Sequence, residues 1–333
     1  MSKKKIALLI IVPLAIFFFS LFFGRYTVPP LTVIKILIDQ IIPINHTWSG
    51  TEETVVLVVR LPRALLAMLI GAGLSISGAS FQGMFRNPLV STDILGVTAG
   101  AGFGACLAIL VSGNEAIIRI CAFAFGVLAV ALAYTISRVY KTTPVLMLVL
   151  SGMVVSAFFV ALISLTKFAA DPYTKLPTIT FWLMGSLATA STSDIISGGI
   201  PIVLGSIVLI LVSWRINVLS MGDEEARALG VNTEFLKGIV IVCATIISVS
   251  AVCVAGIIGW VGLVVPHIGR MLVGPDHRKL LPACLSIGAC YMLIIDDIAR
   301  TVIASEIPLG ILTAIIGAPF FAYLLRRSKG GWT

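Results

Sequence analysis

Stretches of about twenty residues with almost no charge recur along the chain, each close to the helix length that crosses a bilayer's hydrocarbon. There are about ten, near residues 6–25, 61–82, 93–112, 116–138, 145–166, 194–213, 237–257, 259–273, 280–297 and 307–326. Inside hydrocarbon no water is present to bond backbone N–H and C=O groups, so each run must satisfy them internally, as a helix. At 59% hydrophobic and 11% charged over 333 residues, the chain lies outside the range of soluble domains. The expected fold class is an all-α polytopic membrane protein, with a single transmembrane domain over residues 1–333. The eighth run is short and carries Pro266, which predicts a broken or partly re-entrant helix. Residues 1–5 followed by the apolar run 6–23 superficially resemble a signal peptide. The run is too long for one, and Phe22-Phe23-Gly24-Arg25 offers no small-residue cleavage site, so it is read as a retained first span.

Lysine and arginine set the expected orientation. With Lys3, Lys4 and Lys5 in the cytoplasm, an even number of spans brings the C-terminus back to the same side. Arg86, Arg138 with Lys141, Arg270 with Arg278 and Lys279, and Arg326, Arg327 and Lys329 then follow. The net charge of +8 is a positive-inside bias and implies no nucleic-acid partner. The same side receives a polar island, Ser213 to Lys237, in which Arg215, Asp223, Glu224, Glu225, Arg227, Glu234 and Lys237 are charged. Asp223 is expected to cap a short helix, Glu224 and Glu225 to sit in its first turn, and Gly230 to follow it as a C-terminal glycine. A solvated loop helix and a docking helix for a soluble partner both fit that pattern. Arg60, Arg63 and Arg300 fall on the opposite side, against the rule. Snorkelling, pairing with Glu52, Glu53, Asp296 or Glu306, and a basic ring receiving a partner's carboxylates are the readings for them.

Small residues are dense in 71–80 and 96–105, which predicts close helix packing. The segment 167–190 reads as an outer loop with a short amphipathic piece that Trp182 anchors at the interface. Catalytic signatures are absent. There is no G-x-x-x-x-G-K-[ST], so any ATP hydrolysis belongs to another subunit, and there is no H-E-x-x-H or G-x-S-x-G. His46, His267 and His277 are scattered, and the six cysteines lie in apolar runs without metal or disulfide spacing. Asp296 and Asp297 lie near the end of a span, Asp296 precedes Arg300 by one helical turn and can pair with it, and no acid is found at the mid-membrane depth that an ion-coupled secondary transporter would require.

The ordered motifs are R-L-P-R (60–63), S-G-A-x-x-Q (77–82), R-N-P-L (86–89), L-G-x-x-x-G-A (95–101), W-x-x-G-S-L (182–187) and G-D-E-x-A-x-x-L-G-V (222–231). They continue with G-L-x-x-P-H-x-x-R (262–270), D-H-R-x-L-L-P (276–282), D-x-x-A-R (296–300), E-x-P-x-G (306–310) and G-A-P-F-F (317–321). In these the chain resembles, over nearly its whole length, the FecCD permease subunits of binding-protein-dependent ABC importers for iron-siderophores, haem and cobalamin. The resemblance implies a type II importer permease of ten spans in a prokaryotic cytoplasmic membrane, with both termini cytoplasmic. It implies a partnership with a second permease copy or close homologue, two cytoplasmic ATP-binding cassette subunits and one extracytoplasmic binding protein. The chain would be no enzyme and would hold no cofactor, ATP and magnesium being bound by the ATPase. Within a coupling loop at 214–236, Gly222, Asp223, Glu224, Glu225, Ala226, Leu229, Gly230 and Val231 would dock on the ATPase. Arg60, Arg63 and Arg300 would receive the binding protein, and the fifth span, near Thr142 and Thr143, would contribute to a cytoplasmic gate. The implied cargo is an iron-siderophore-type chelate, with cobalamin, haem or molybdate/tungstate as alternatives. Trp260 stands where the family commonly has Phe, and the acid after R-N-P-L is delayed to Asp93.

Overall fold

A computed structural model describes residues 3–138 and 143–327; Lys141, Thr142 and Lys329, used above, lie outside the described residues. All regular structure in them is helical. The chain begins with α1 (Lys3–Ser20) and a short α2 (Pro30–Asp39). The central helix α3 (Gly50–Phe85) runs for 36 residues. It starts well before the apolar run that predicts it, because Ser49 and Glu52 form a reciprocal capping box at its head. A π-helical stretch, Val55–Arg60, lies within it.

The next helices are α4 (Val97–Val111), α5 (Glu115–Ser137), α6 (Val145–Ala169) and the amphipathic α7 (Lys175–Met184). After α8 (Thr192–Leu211) come two short polar helices, α9 (Ser213–Leu219) and α10 (Asp223–Ala228). The chain then crosses back as α11 (Thr233–Ala255), α12 (Val261–Val273), α13 (His277–Thr301) and α14 (Leu309–Arg327). Each expected span falls on one of these helices. Six are long and apolar enough to cross a membrane: α3, α5, α6, α8, α11 and α13. Helices α4, α12 and α14 are apolar but shorter. Asn114, Asn232 and Asp276 mark three of the starts, their side chains accepting first-turn N–H groups.

Close packing of α3 follows from its small residues. A Cβ at Gly71 would strike the carbonyl oxygen of Gly288 on α13, and one at Gly78 would strike that of Gly262 on α12. Two serines of this stretch return their hydroxyls to their own helix, Ser75 to Gly71 O (2.6 Å) and Ser80 to Ile76 O (2.8 Å), while the buried hydroxyl of Ser77 has no hydrogen-bond partner among the described residues. Gly100 and Gly104 do the same for α4 against α5, meeting the carbonyls of Phe125 and Cys121. Helix α6 is held differently. Gly152 sits against Ile94, yet Met153, Val154, Phe158, Leu165 and Phe168 are all exposed, so it carries a broad face that none of the described residues covers.

Two expectations change. The eighth run is a continuous helix, α12, that passes through Pro266. The proline leaves one helical carbonyl without its usual partner, that of Gly262, and Gln82 Nε2 on α3 faces it at 3.4 Å. The piece carrying Trp182 is built into the bundle: Ser186 N–H donates to Ala255 O (2.8 Å), Leu309 N–H donates to Gly185 O (2.9 Å), and Trp182 itself is half-buried beside α4.

Gly78→Leu should abolish the approach of α3 to α12, giving aggregation in fluorescence-detected size-exclusion chromatography. Gly238→Ala, where an added Cβ meets nothing within 4 Å, should leave elution unchanged and raise stability by about 0.5–1 kcal/mol.

Candidate functional site

The polar residues gather at the two ends of the bundle. At one end lies the island. Helix α10 begins at Asp223, with Gly222 as the preceding cap residue at φ +146°. Asp223 therefore does not cap, as the sequence suggests; its carboxylate turns inward to Lys237 Nζ at 2.5 Å. A fully buried ammonium needs an opposite charge more than a half-exposed helix start needs a cap. The helix ends as expected. Gly230, at φ +79°, allows Val231 N–H to reach Ala226 O (2.9 Å) and Gly230 N–H to reach Arg227 O (2.9 Å), the paired bonds of a Schellman ending.

Of the residues expected to dock, Ala226 and Gly222 face the protein, Asp223 and Val231 are half-buried, and Glu224, Glu225, Leu229 and Gly230 are exposed. Leu229 and Val231 open onto a groove of about 420 Å³ with Trp214, Arg215 and Phe235. An exposed apolar rim beside an acidic helix start is a surface with one charged and one apolar element, suited to a protein partner.

Two latches hold the island. Asn217 on α9 donates to Asp276 Oδ1 (2.7 Å) and accepts His277 N–H (2.8 Å), tying α9 to the head of α13. This hydrogen bond, with help from Arg278 N–H and Lys279, holds the Asp276 carboxyl below the usual range. Its stabilising contribution is therefore present above the ordinary carboxylate pKa and is lost as pH falls through the lowered value. The second latch joins Lys237 to Asp223 and to Thr143 O (3.2 Å). Sequence reasoning counted Lys237 as charged and gave it no role; the available signal was a lysine opening an apolar run one turn after Glu234.

At the opposite end the structure brings Arg60, Arg63 and Arg300 together, as expected, but all three are buried. Arg63 forms a fork on Asp296, Nε at 2.9 Å and Nη2 at 2.8 Å, and its terminal nitrogens also reach Glu306 at 3.1 and 3.0 Å. Arg300 holds Asp297, Ser20 O (2.8 Å) and Ser20 Oγ (2.7 Å), with Asp296 at 3.8 Å from its Nε. Arg60 spans the backbone carbonyls of Leu21 (2.7 Å) and Tyr26. Local pairing thus engages Asp296 and Glu306. Glu52 and Glu53 serve the start of α3 instead, at Ser49 and Trp48. The donors of this cluster point into the protein and not out as an open ring.

A model of the FecCD transport family matches residues 9–327. The molybdate import system permease protein MolB of Haemophilus influenzae is 42% identical over 94% of this chain and 92% of its own. A probable iron chelatin transport system permease protein of Helicobacter pylori is 44% identical over 86% of this chain and 88% of its own. A solved structure described as an inward-facing conformation of a putative metal-chelate type ABC transporter superposes with TM-score 0.88 and 40% identity, covering 98% of this chain and all of that one.

Removing Arg63 would strand Asp296 without its main counter-charge. Arg63→Ala should destabilise the fold by about 3–5 kcal/mol, and Arg63→Ala with Asp296→Ala by less, measured by thermal unfolding in detergent.

Proposed function

Because the chain belongs to the FecCD transport family, whose members are permease subunits of ABC importers, we propose that it carries a metal chelate of the iron-chelate type across the cytoplasmic membrane, driven by ATP hydrolysed on a separate subunit. The observation that carries this reading is α10: a short helix at the end of the bundle, with Ala226 packed inward and Glu224, Glu225 and Leu229 facing out beside an apolar groove. Two cytoplasmic ATP-binding cassette subunits dock there in this reading, with 214–236 as the coupling loop of one transmembrane domain.

The chain crosses ten times. In this reading the six long helices are joined by α1, α4, α12 and α14, and the lysine and arginine bias assigns both termini and the island to the cytoplasm. A second permease subunit packs against the uncovered face of α6, and the cargo path runs between the two. The extracytoplasmic binding protein docks over the end where Arg60, Arg63 and Arg300 gather. Since Asp296, Asp297 and Glu306 already occupy Arg63 and Arg300, the partner's carboxylates must exchange with these acids. Docking and release are then swaps between ion pairs, with no net charge buried.

A molybdate-type oxyanion is the second reading, favoured by the MolB likeness over 94% of the chain. The chain reconstituted in vesicles with its ATPase and binding protein should accumulate a radiolabelled ferric chelate only when ATP is present. Accumulation of radiolabelled molybdate in its place would select the second reading, and gradient-driven uptake without ATPase would discard both. Glu224→Arg with Leu229→Arg should abolish uptake while the bundle stays folded; normal uptake by that variant would remove α10 as the docking site.

A further inference from the structure

Lys237 is a charge placed where the bundle is closed to water. Its side chain is fully buried on the first turns of α11. An ammonium in that position is tolerated only if hydrogen-bond acceptors and opposite charge surround it. It donates to Asp223 Oδ2 at 2.5 Å on α10 and to the carbonyl of Thr143 at 3.2 Å just before α6, and a second carboxylate, Glu234 on its own helix, lies within ion-pair range at 3.8 Å.

Glu234 completes the junction. It accepts the Thr143 backbone N–H at 3.0 Å and the Thr143 hydroxyl, and it lies 3.8 Å from Arg227 of α10. Both backbone polar groups of Thr143 are therefore held by Glu234 and Lys237, one turn apart on α11, and the same two side chains hold α10. Pro144 follows at once, with a fixed φ, and α6 begins at Val145. The link from α10 to α6 is short and stiff. At its far end is the helix with the broad uncovered face, while α9, which adjoins α10, is fastened separately to α13 through Asn217.

We propose that Lys237 is a positioning residue that makes α10 and the head of α6 one mechanical body, so that a displacement of α10 carries the first turn of α6 with it. The direction of energy flow rests on the docking role given to α10 above; the rigid connection does not.

The test uses spin labels at positions 228 and 146, both exposed and outside the docking set, on the full chain in lipid nanodiscs with the native cysteines replaced. In the chain alone the distance distribution should be narrow with Lys237 and broad with Lys237→Met. Asp223→Asn, which leaves Lys237 its contacts to Thr143 O and Glu234, should also broaden it and covers the case in which Lys237→Met does not fold. In the complex the distance should be the same with and without ATP. Lys237→Met should lose uptake while the ATPase subunits still co-purify and hydrolyse ATP, and Lys237→Arg should restore part of the uptake. A distribution as narrow in both variants as in the parent chain, or a parent distance that shifts with nucleotide, would overturn the proposal. Failure of the ATPase to bind the parent chain would overturn the docking role alone, because the comparison in the chain by itself still decides the connection.

Discussion

The structure depends on backbone contact between α3 and its neighbours. Lipid tails are as apolar as leucine, so helices in a bilayer are not driven together by burial as they are in water, and close approach has to supply the attraction. Gly71 against Gly288 and Gly78 against Gly262 provide that approach, carbonyl to Cα, with no side chain between. The contact also sets register. The two helices run antiparallel, and about two turns beyond the Gly71–Gly288 crossing the same register lays Arg63 on Asp296. In the other direction it lays Gly83 against His277, at the head of α13 where Asn217 is fastened. One glycine contact thus positions the polar clusters at both ends.

Those clusters answer the same problem differently. Arg63, Asp296 and Glu306 form a network in which each buried charge has an opposite charge and a geometry suited to the guanidinium fork. Such a network gives orientation more than stability, because desolvation offsets much of its Coulomb energy. At the island end a single lysine replaces the arginines. A compact ammonium on a flexible stem can join two acceptors on separate segments to a carboxylate of its own helix, where a planar fork would favour one carboxylate. The first arrangement fixes a rim; the second ties separate segments together.

The uneven enclosure of the helices belongs with this. Helices α11 and α13 lie within the bundle, while α6 is covered on one side only. A helix with few internal contacts can change position at less cost to the core than one enclosed on all sides.

Much of this was legible in the residues. Uncharged runs of bilayer length specify helices because hydrocarbon leaves the backbone no other partner. The small-residue stretches 71–80 and 96–105 specify tight contacts because only they permit them, and Gly230 specifies the end of α10 because φ near +79° favours glycine. Other features depend on which segments meet. Asp223 reads locally as a cap and becomes the partner of a lysine fourteen residues later only once α11 folds back over α10. Arg60 and Arg63 read locally as surface basic residues and turn inward because α1 and α13 bring carbonyls and carboxylates to them. Local pattern determines where helices begin, end and can touch. Whether a charged side chain faces water or a buried partner is a property of the assembled bundle, since the desolvation that decides it exists only after the helices have packed.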